Sequence, residues 1–141
     1  MSIEAATFAA GAAPASVAHG RVLFVHEILA LGAAANNLSV CVTGCLAGVV
    51  RASRRASLMD PRSAASGALE VDTSQVDHQN YHDDELVRLI GELCVVSADG
   101  AAPVLRARTL RNVDGLDLDL FTRAVIDKRA YETEIGTAPV V

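Results

Sequence analysis

The chain has no tryptophan, two tyrosines and three phenylalanines in 141 residues. It therefore lacks the run of aromatic side chains on which single-stranded nucleic-acid binders stack successive bases. Its three cysteines are odd in number and too few for a disulfide framework, which points to a reducing compartment. No apolar run reaches the ~18–20 residues of a helical membrane span; the longest candidate, residues 22–35, is broken by His26, Glu27 and Gly32. Positive charge is the minority sign, with 12 Lys and Arg against 17 Asp and Glu and a net charge of −5. The bulk field then repels phosphate, so any nucleic-acid role needs local basic patches or a partner. A glycine-rich phosphate loop, a G-x-S-x-G elbow and a correctly spaced metal motif are all missing, and no enzymatic activity, cofactor or metal is expected.

What is present describes one domain. Hydrophobic residues make up 51% of the chain, although much of that share is alanine, which fills little volume. Residues 1–19 are rich in Ala and Gly, contain Glu4, and carry neither Lys nor Arg. They lack the basic n-region of a signal peptide and the arginine-rich face of a presequence, and read as a disordered tail. The domain is expected over residues 20–135, with a short tail at 136–141.

Along the chain, RVLFVHEILAL (residues 21–31) fits neither periodicity cleanly, and its β-branched and aromatic start favours a strand. After a loop at 32–37, Leu38, Val40 and Val42 alternate with Ser39, Cys41 and Thr43, the two-residue period of a half-buried strand. That strand runs to about Val50, and its interior Gly44 suggests a bulge or bend by which one strand serves two sheet edges. The basic turn 51–55 leads to a strand at 56–60. PRSAASG (61–67) is turn-rich, and a return strand follows at 68–76 with Leu69, Val71 and Thr73 on one face. Residues 77–85 are polar and acidic and read as loop. LVRLIGELCVV (86–96) is apolar on both faces and reads as a central strand. A turn at 98–103 precedes a strand at 104–113, in which Leu105, Ala107 and Thr109 alternate with Arg106, Arg108 and Leu110.

From Asp117 the period becomes helical, over about 117–132. Asp117 can cap the helix, Leu118, Phe121, Ala124 and Val125 share one face, and Gly136 and Pro139 end it. Short strands followed by one helix, without βαβ alternation, predict an all-β fold: a five-stranded Greek-key OB-fold barrel with a C-terminal α-helix.

Two constellations invite a chemical reading. Cys41-x-x-x-Cys45 and His78-x-x-x-His82 are too far apart for a zinc finger, and cysteines within a strand are more often small buried hydrophobes, as is Cys94. Asp83-Asp84-Glu85 suggests paired carboxylates or a cation site, yet three adjacent acids on a polar loop usually form a solvated face. The basic residues concentrate at Arg51, Arg54, Arg55 and Arg62 around the first turn and at Arg106, Arg108 and Arg111 on the last strand. They read either as guards of exposed edges or as a groove that tracks a phosphate backbone; Arg51, Arg54, Arg55, Arg106 and Arg108 are the nucleic-acid candidates.

The stretch 91–132 carries a resemblance. Gly91-Glu92-Leu93, Ala107-Arg108-x-Leu110, Val113-Asp114-Gly115, and Leu118, Leu120, Ala124, Arg129 and Tyr131 along the terminal helix resemble the smallest subunit, called Ten, of the CST telomere-replication complex. Gly44-x-Leu46 and Ser57-Leu58-Met59 extend it upstream. The resemblance implies a nuclear protein at telomeric chromosome ends that pairs with an OB subunit called Stn and joins the large CST subunit. Through the complex it would meet telomeric single-stranded DNA, bound weakly by this chain alone, and DNA polymerase alpha–primase in C-strand fill-in. It also implies that the terminal helix grips Stn. Leu120, Ile126 and Tyr131, which lie off the inward stripe, and Arg129 are the partner-binding candidates. The alternative within the same fold is a small replication protein A-like subunit with a general single-strand role.

Overall fold

The computed structural model describes residues 20–62, 67–95 and 102–134. The expected tails at 1–19 and 136–141, the helix stop at Gly136 and Pro139, and the centres of the turns at 61–67 and 98–103 lie outside the described residues.

The alternation after Leu38 becomes β2, Ser39–Val50, with Val40, Val42 and Leu46 buried and Cys41, Thr43 and Cys45 half-buried on the outer face. Ahead of it, β1 (Arg21–Val22) adds two residues in parallel pairing. From Ser39 to Cys45, β2 runs antiparallel to β5 (Leu86–Cys94), and from Cys45 onward it runs antiparallel to β3 (Arg55–Met59). One strand thus serves two edges, and Gly44 stands at the handover. A Cβ there would lie 2.7 Å from both Leu58 Cγ and the Met59 carbonyl oxygen, closer than any side chain allows. The bulge comes later, where the β2–β3 register shifts between Ala47 and Val50 and Gly48 takes φ +59°.

β3 pairs with β4 (Ala68–Asp72), β4 runs parallel to β6 (Val104–Asn112), and β6 is antiparallel to β5. The order β2-β3-β4-β6-β5 returns to β2, a closed five-stranded barrel. Leu58, Leu69, Val71, Leu89, Leu93 and Leu105 fill its interior. A second glycine, Gly91, sits where β6 approaches so closely that a Cβ would be 2.1 Å from the Arg106 carbonyl oxygen. The β5–β6 register shifts at this point. The shift corrects the expected alternation of β6: Leu105 and Ala107 are buried, but Thr109 is exposed and Leu110 packs against the core.

Three further expectations are corrected. Residues 21–31 are not one strand: after β1 the chain turns into α1, Val25–Leu31. Val25 and Ile28, at helical spacing, enter the barrel core, and the Glu27 carboxylate accepts the Phe24 N–H at 2.8 Å, satisfying an orphan amide of the first turn. The burial available to two side chains spaced i, i+3 outweighs the β-branched propensity of the segment. β4 stops at Asp72 rather than at residue 76, because the Asp72 carboxylate accepts the Ser74 N–H at 2.9 Å and turns the chain away. The polar stretch 77–85 is a loop as expected, yet Tyr81 within it is fully buried.

The terminal helix α2 spans Leu118–Glu134, and Asp117 Oδ1 caps it by accepting the Leu120 N–H at 3.1 Å. Leu118, Phe121 and Val125 face the barrel, but only Val125 is buried. Ala124, expected on that face, is exposed, because Arg129 and Thr122 take the inward positions instead. Arg129 donates to Glu27 Oε2 at 2.8 Å, to Glu27 Oε1 at 2.9 Å and to the Val22 carbonyl at 2.7 Å. Its guanidinium also lies 5.3 Å from the centre of the Phe24 ring, which meets Phe121 edge to face.

The hydrogen bond from Arg129 holds the Glu27 carboxyl below its ordinary value, against the opposing effect of burial. A depressed folded-state pKa stabilises the fold above the ordinary glutamate range and loses that contribution as pH falls through the folded value. Both side chains remain partly exposed, so Glu27→Gln should cost about 1 kcal/mol near neutrality. Urea unfolding at pH 7 and at about pH 3 checks this: the gap to wild type should close in acid, and an equally stable variant at pH 7 would show that the clamp contributes nothing to the fold.

Candidate nucleic-acid and partner interface

The turn between β2 and β3 is a short 3-10 segment, Arg51–Ser53, followed by Arg54 at φ +57°. Both arginines are turned onto the loop that holds Tyr81. Arg51 donates to the Tyr81 carbonyl, and its guanidinium lies 4.2 Å over the Tyr81 ring. Arg54 pairs with Asp77 at 3.3 Å. The same Asp77 carboxylate accepts the Tyr81 hydroxyl at 2.8 Å and the Thr73 hydroxyl at 3.2 Å. Burial pushes the Tyr81 hydroxyl pKa up, so the ring stays neutral and donating.

The remaining nucleic-acid candidates stand on the outer face of the barrel. Arg55 pairs with Glu70 across β3–β4 at 3.3 Å, and Arg108 pairs with Glu92 across β6–β5 at 3.3 Å. Arg106 is opposite Asp72 on one side and Glu92 on the other. Burial would raise the Asp72 pKa, but hydrogen bonds from Ser74 and the charges of Arg55 and Arg106 outweigh it and hold the carboxyl low. The structure therefore separates the five arginines into a pair locked in the turn and three on the face, each of the three beside a carboxylate. The outward residues of β3 and β4 are Arg55, Ser57, Met59, Ala68, Glu70 and Asp72, which leaves this face without an aromatic ring. Sequence reasoning missed Tyr81 as the anchor of the turn, and it missed Arg88, which only the β5–β6 register places opposite Arg111.

The acid cluster is spent on local structure. Asp83 accepts the Val49 N–H at 2.8 Å, and Glu85 accepts the His82 N–H at 3.0 Å. Among the described residues no group of three or more His, Cys, Asp or Glu side chains is placed to hold a metal ion. Cys41 and Cys45 are half-buried, and burial raises both thiols.

The partner candidates fall on three sides of α2. Leu120 and Tyr131, 65% and 61% exposed, are eleven residues apart, three helical turns, and share the outward side with Ala124 between them. Ile126, 52% exposed, stands apart from them at the lip of a cavity of about 330 Å³ lined by Phe24, His26, Leu118 and Phe121. In this cavity His26 Nδ1 is 3.1 Å from Asp60. Arg129 points inward and is occupied by Glu27 and Val22.

Residues 16–135 match the family described as telomere-capping, CST complex subunit, Ten1. No curated protein sequence matches the chain. Among solved structures it is similar to the S. pombe Stn1–Ten1 complex, with a TM-score of 0.62 at 15% identity over 83% of this chain and 98% of the other. S. pombe Ten1 alone gives 0.60 at 15% identity, over 79% and 98%. U. maydis replication protein A bound to single-stranded DNA gives 0.51 at 16% identity, over 81% and 93%. At these identities the structural likeness is one of fold, and it agrees with the expected OB barrel.

The arrangement of the turn makes Arg51 and Tyr81 supports of the fold first. Tyr81→Ala should cost about 3–5 kcal/mol, the range for a large buried ring. Arg51→Ala should cost about 1–2 kcal/mol through the missing hydrogen bond and cation–ring attraction. Chemical denaturation of the two variants checks this, and a full-stability Arg51→Ala protein would return that residue to the free basic surface.

Proposed function

The chain belongs to the Ten1 family of telomere-capping CST complex subunits, and from that premise we propose that it binds an Stn subunit through the outward side of α2 and helps hold telomeric single-stranded DNA. It is an OB-fold subunit and not an enzyme. The finer reading adds a large CST subunit, nuclear chromosome ends as the place of action, and DNA polymerase alpha–primase as the machine served through the complex. The observation that carries the partner assignment is the exposure of Leu120 and Tyr131 on a helix whose other side is clamped to the barrel. A tyrosine near a helix end can bury its ring against a partner and offer its hydroxyl, the combination enriched at hot spots. The S. pombe complex, whose name pairs Stn1 with Ten1, supports the same choice of partner.

Weak DNA binding by the subunit alone follows from its charges. Arg55 on β3 and Arg106 and Arg108 on β6 each stand beside a carboxylate, and the β3–β4 face has no aromatic ring to offer a stacking surface.

Two measurements test the reading. Tyr131→Ala and Leu120→Ala should each weaken pairing with Stn by on the order of 2 kcal/mol with the melting temperature kept. Phe121→Ala, on the barrel side, should lower the melting temperature and spare the pairing. Calorimetric titration with Stn beside thermal melting separates the cases, and a Tyr131 variant that melts early but pairs normally would end the interface assignment. A pull-down that returned replication protein A subunits in place of Stn would favour the general single-strand reading.

The second measurement concerns DNA. The isolated chain should bind an oligothymidylate weakly and with strong salt dependence. Joint Glu70→Gln and Glu92→Gln substitution frees Arg55 and Arg108, and should tighten binding and steepen the log–log salt slope by about 1.4, ~0.7 per phosphate engaged. Fluorescence anisotropy over a salt series reads this directly, and an unchanged slope would place those two arginines out of reach of phosphate.

A further inference from the structure

On the outer face of the barrel the pair left unopposed joins Arg111, from the arginine cluster of the last strand, to Arg88, which stands outside both clusters of the sequence. Arg88 on β5 faces Arg111 on β6 directly in the antiparallel register, and Thr43 of β2 completes the row. Both arginines are exposed, and among the described residues neither side chain makes a hydrogen bond or an ion pair. Like charges directly opposite on paired strands destabilise the pairing, so this arrangement is a standing cost in a chain that has acids to spare. Further along the same strand the pattern is the reverse: Arg108 is paired with Glu92, and Arg106 is flanked by Asp72 and Glu92. Asp114, two residues beyond the end of β6, is engaged by the Leu86 N–H at 2.9 Å and by the Asn112 amide at 3.1 Å.

Protection of a sheet edge does not account for Arg88. Its strand is hydrogen-bonded on both sides, to β2 and to β6, and has no edge to guard. The next row of the face, Cys41, Ile90 and Thr109, contains no carboxylate.

We propose that Arg88 and Arg111 are the subunit's contact with the phosphate backbone of single-stranded DNA, a site on the outer face of β5 and β6 away from the β3–β4 groove. The inference rests on the reading of the protein as a subunit that helps hold single strands, and it names the site. Two arginines opposed across paired strands, each with a planar fork suited to phosphate oxygens, gain doubly from an anion they share: each acquires a partner, and their mutual repulsion is relieved. Because phosphate contacts position a strand without reading it, the site gives affinity and not sequence preference.

The full chain in complex with Stn, titrated with fluorescein-labelled oligothymidylate over a salt series, tests this. Arg88→Gln with Arg111→Gln should reduce the log–log salt slope by about 1.4, ~0.7 for each phosphate no longer neutralised, whereas Arg54→Gln with Arg55→Gln should leave it unchanged. Arg88→Glu should lower DNA affinity while raising the melting temperature, since it turns the like-charge pair into an ion pair with Arg111; a misfolded variant cannot do both. An unchanged slope in the Arg88/Arg111 variant overturns the site, and so does an unchanged slope accompanied by weakened pairing with Stn, which would assign the two cations to a protein interface. Failure of the wild-type complex to bind the oligonucleotide at all would instead overturn the broader single-strand reading.

Discussion

Closure of the barrel through one strand is the constraint on which the rest of this structure depends. β2 pairs with β5 over its first half and with β3 over its second, so its backbone must leave one neighbour and meet another without losing hydrogen bonds. Gly44 permits this because β3 comes within a distance that no Cβ tolerates. Gly91 permits a similarly close approach of β6 to β5. With the ring closed, the inward apolar side chains of the strands share a single interior, and every charged residue of the strands is displayed on the outer face.

That closed ring fixes the roles of the two helices. α1 sends Val25 and Ile28 into the core, and Glu27 then presents its carboxylate to Arg129, 102 residues further on. The bidentate pair and the Val22 carbonyl orient α2 about its axis. Once Arg129, Phe121 and Val125 are directed at the barrel, Leu120 and Tyr131 are left outward by the 3.6-residue period alone. Arg129, one of the partner-binding candidates of the sequence, is thus paired within the chain, and it sets which side of the helix a partner could meet.

Charge follows from register in the same way. The strands place Glu70 beside Arg55 and Glu92 beside Arg108, and they place Arg88 beside Arg111 with no acid between. The turn arginines Arg51 and Arg54 are drawn into the Tyr81–Asp77 cluster. The clusters of arginine in the sequence are therefore mostly neutralised on the surface, and the unopposed pair is assembled from residues 23 positions apart in sequence.

By itself the sequence determined the features that local periodicity and composition carry: the alternating strands beginning near Ser39, Ala68 and Val104, the apolar strand from Leu86, the short strand after the basic turn, the capped terminal helix, the bend at Gly44, and hence the barrel class. These need only the neighbours of each residue, because side chains alternate along a strand and recur along a helix whatever lies opposite. Only the tertiary structure decided that residues 25–31 coil into the core, that Tyr81 anchors a polar loop, that Thr109 and Leu110 exchange faces beyond the shift at Gly91, and that Arg129 turns inward. The physical reason is common to all four. Burial and ion pairing are settled between segments distant in sequence, and their contributions exceed the few tenths of a kcal/mol by which local propensity prefers one conformation over another.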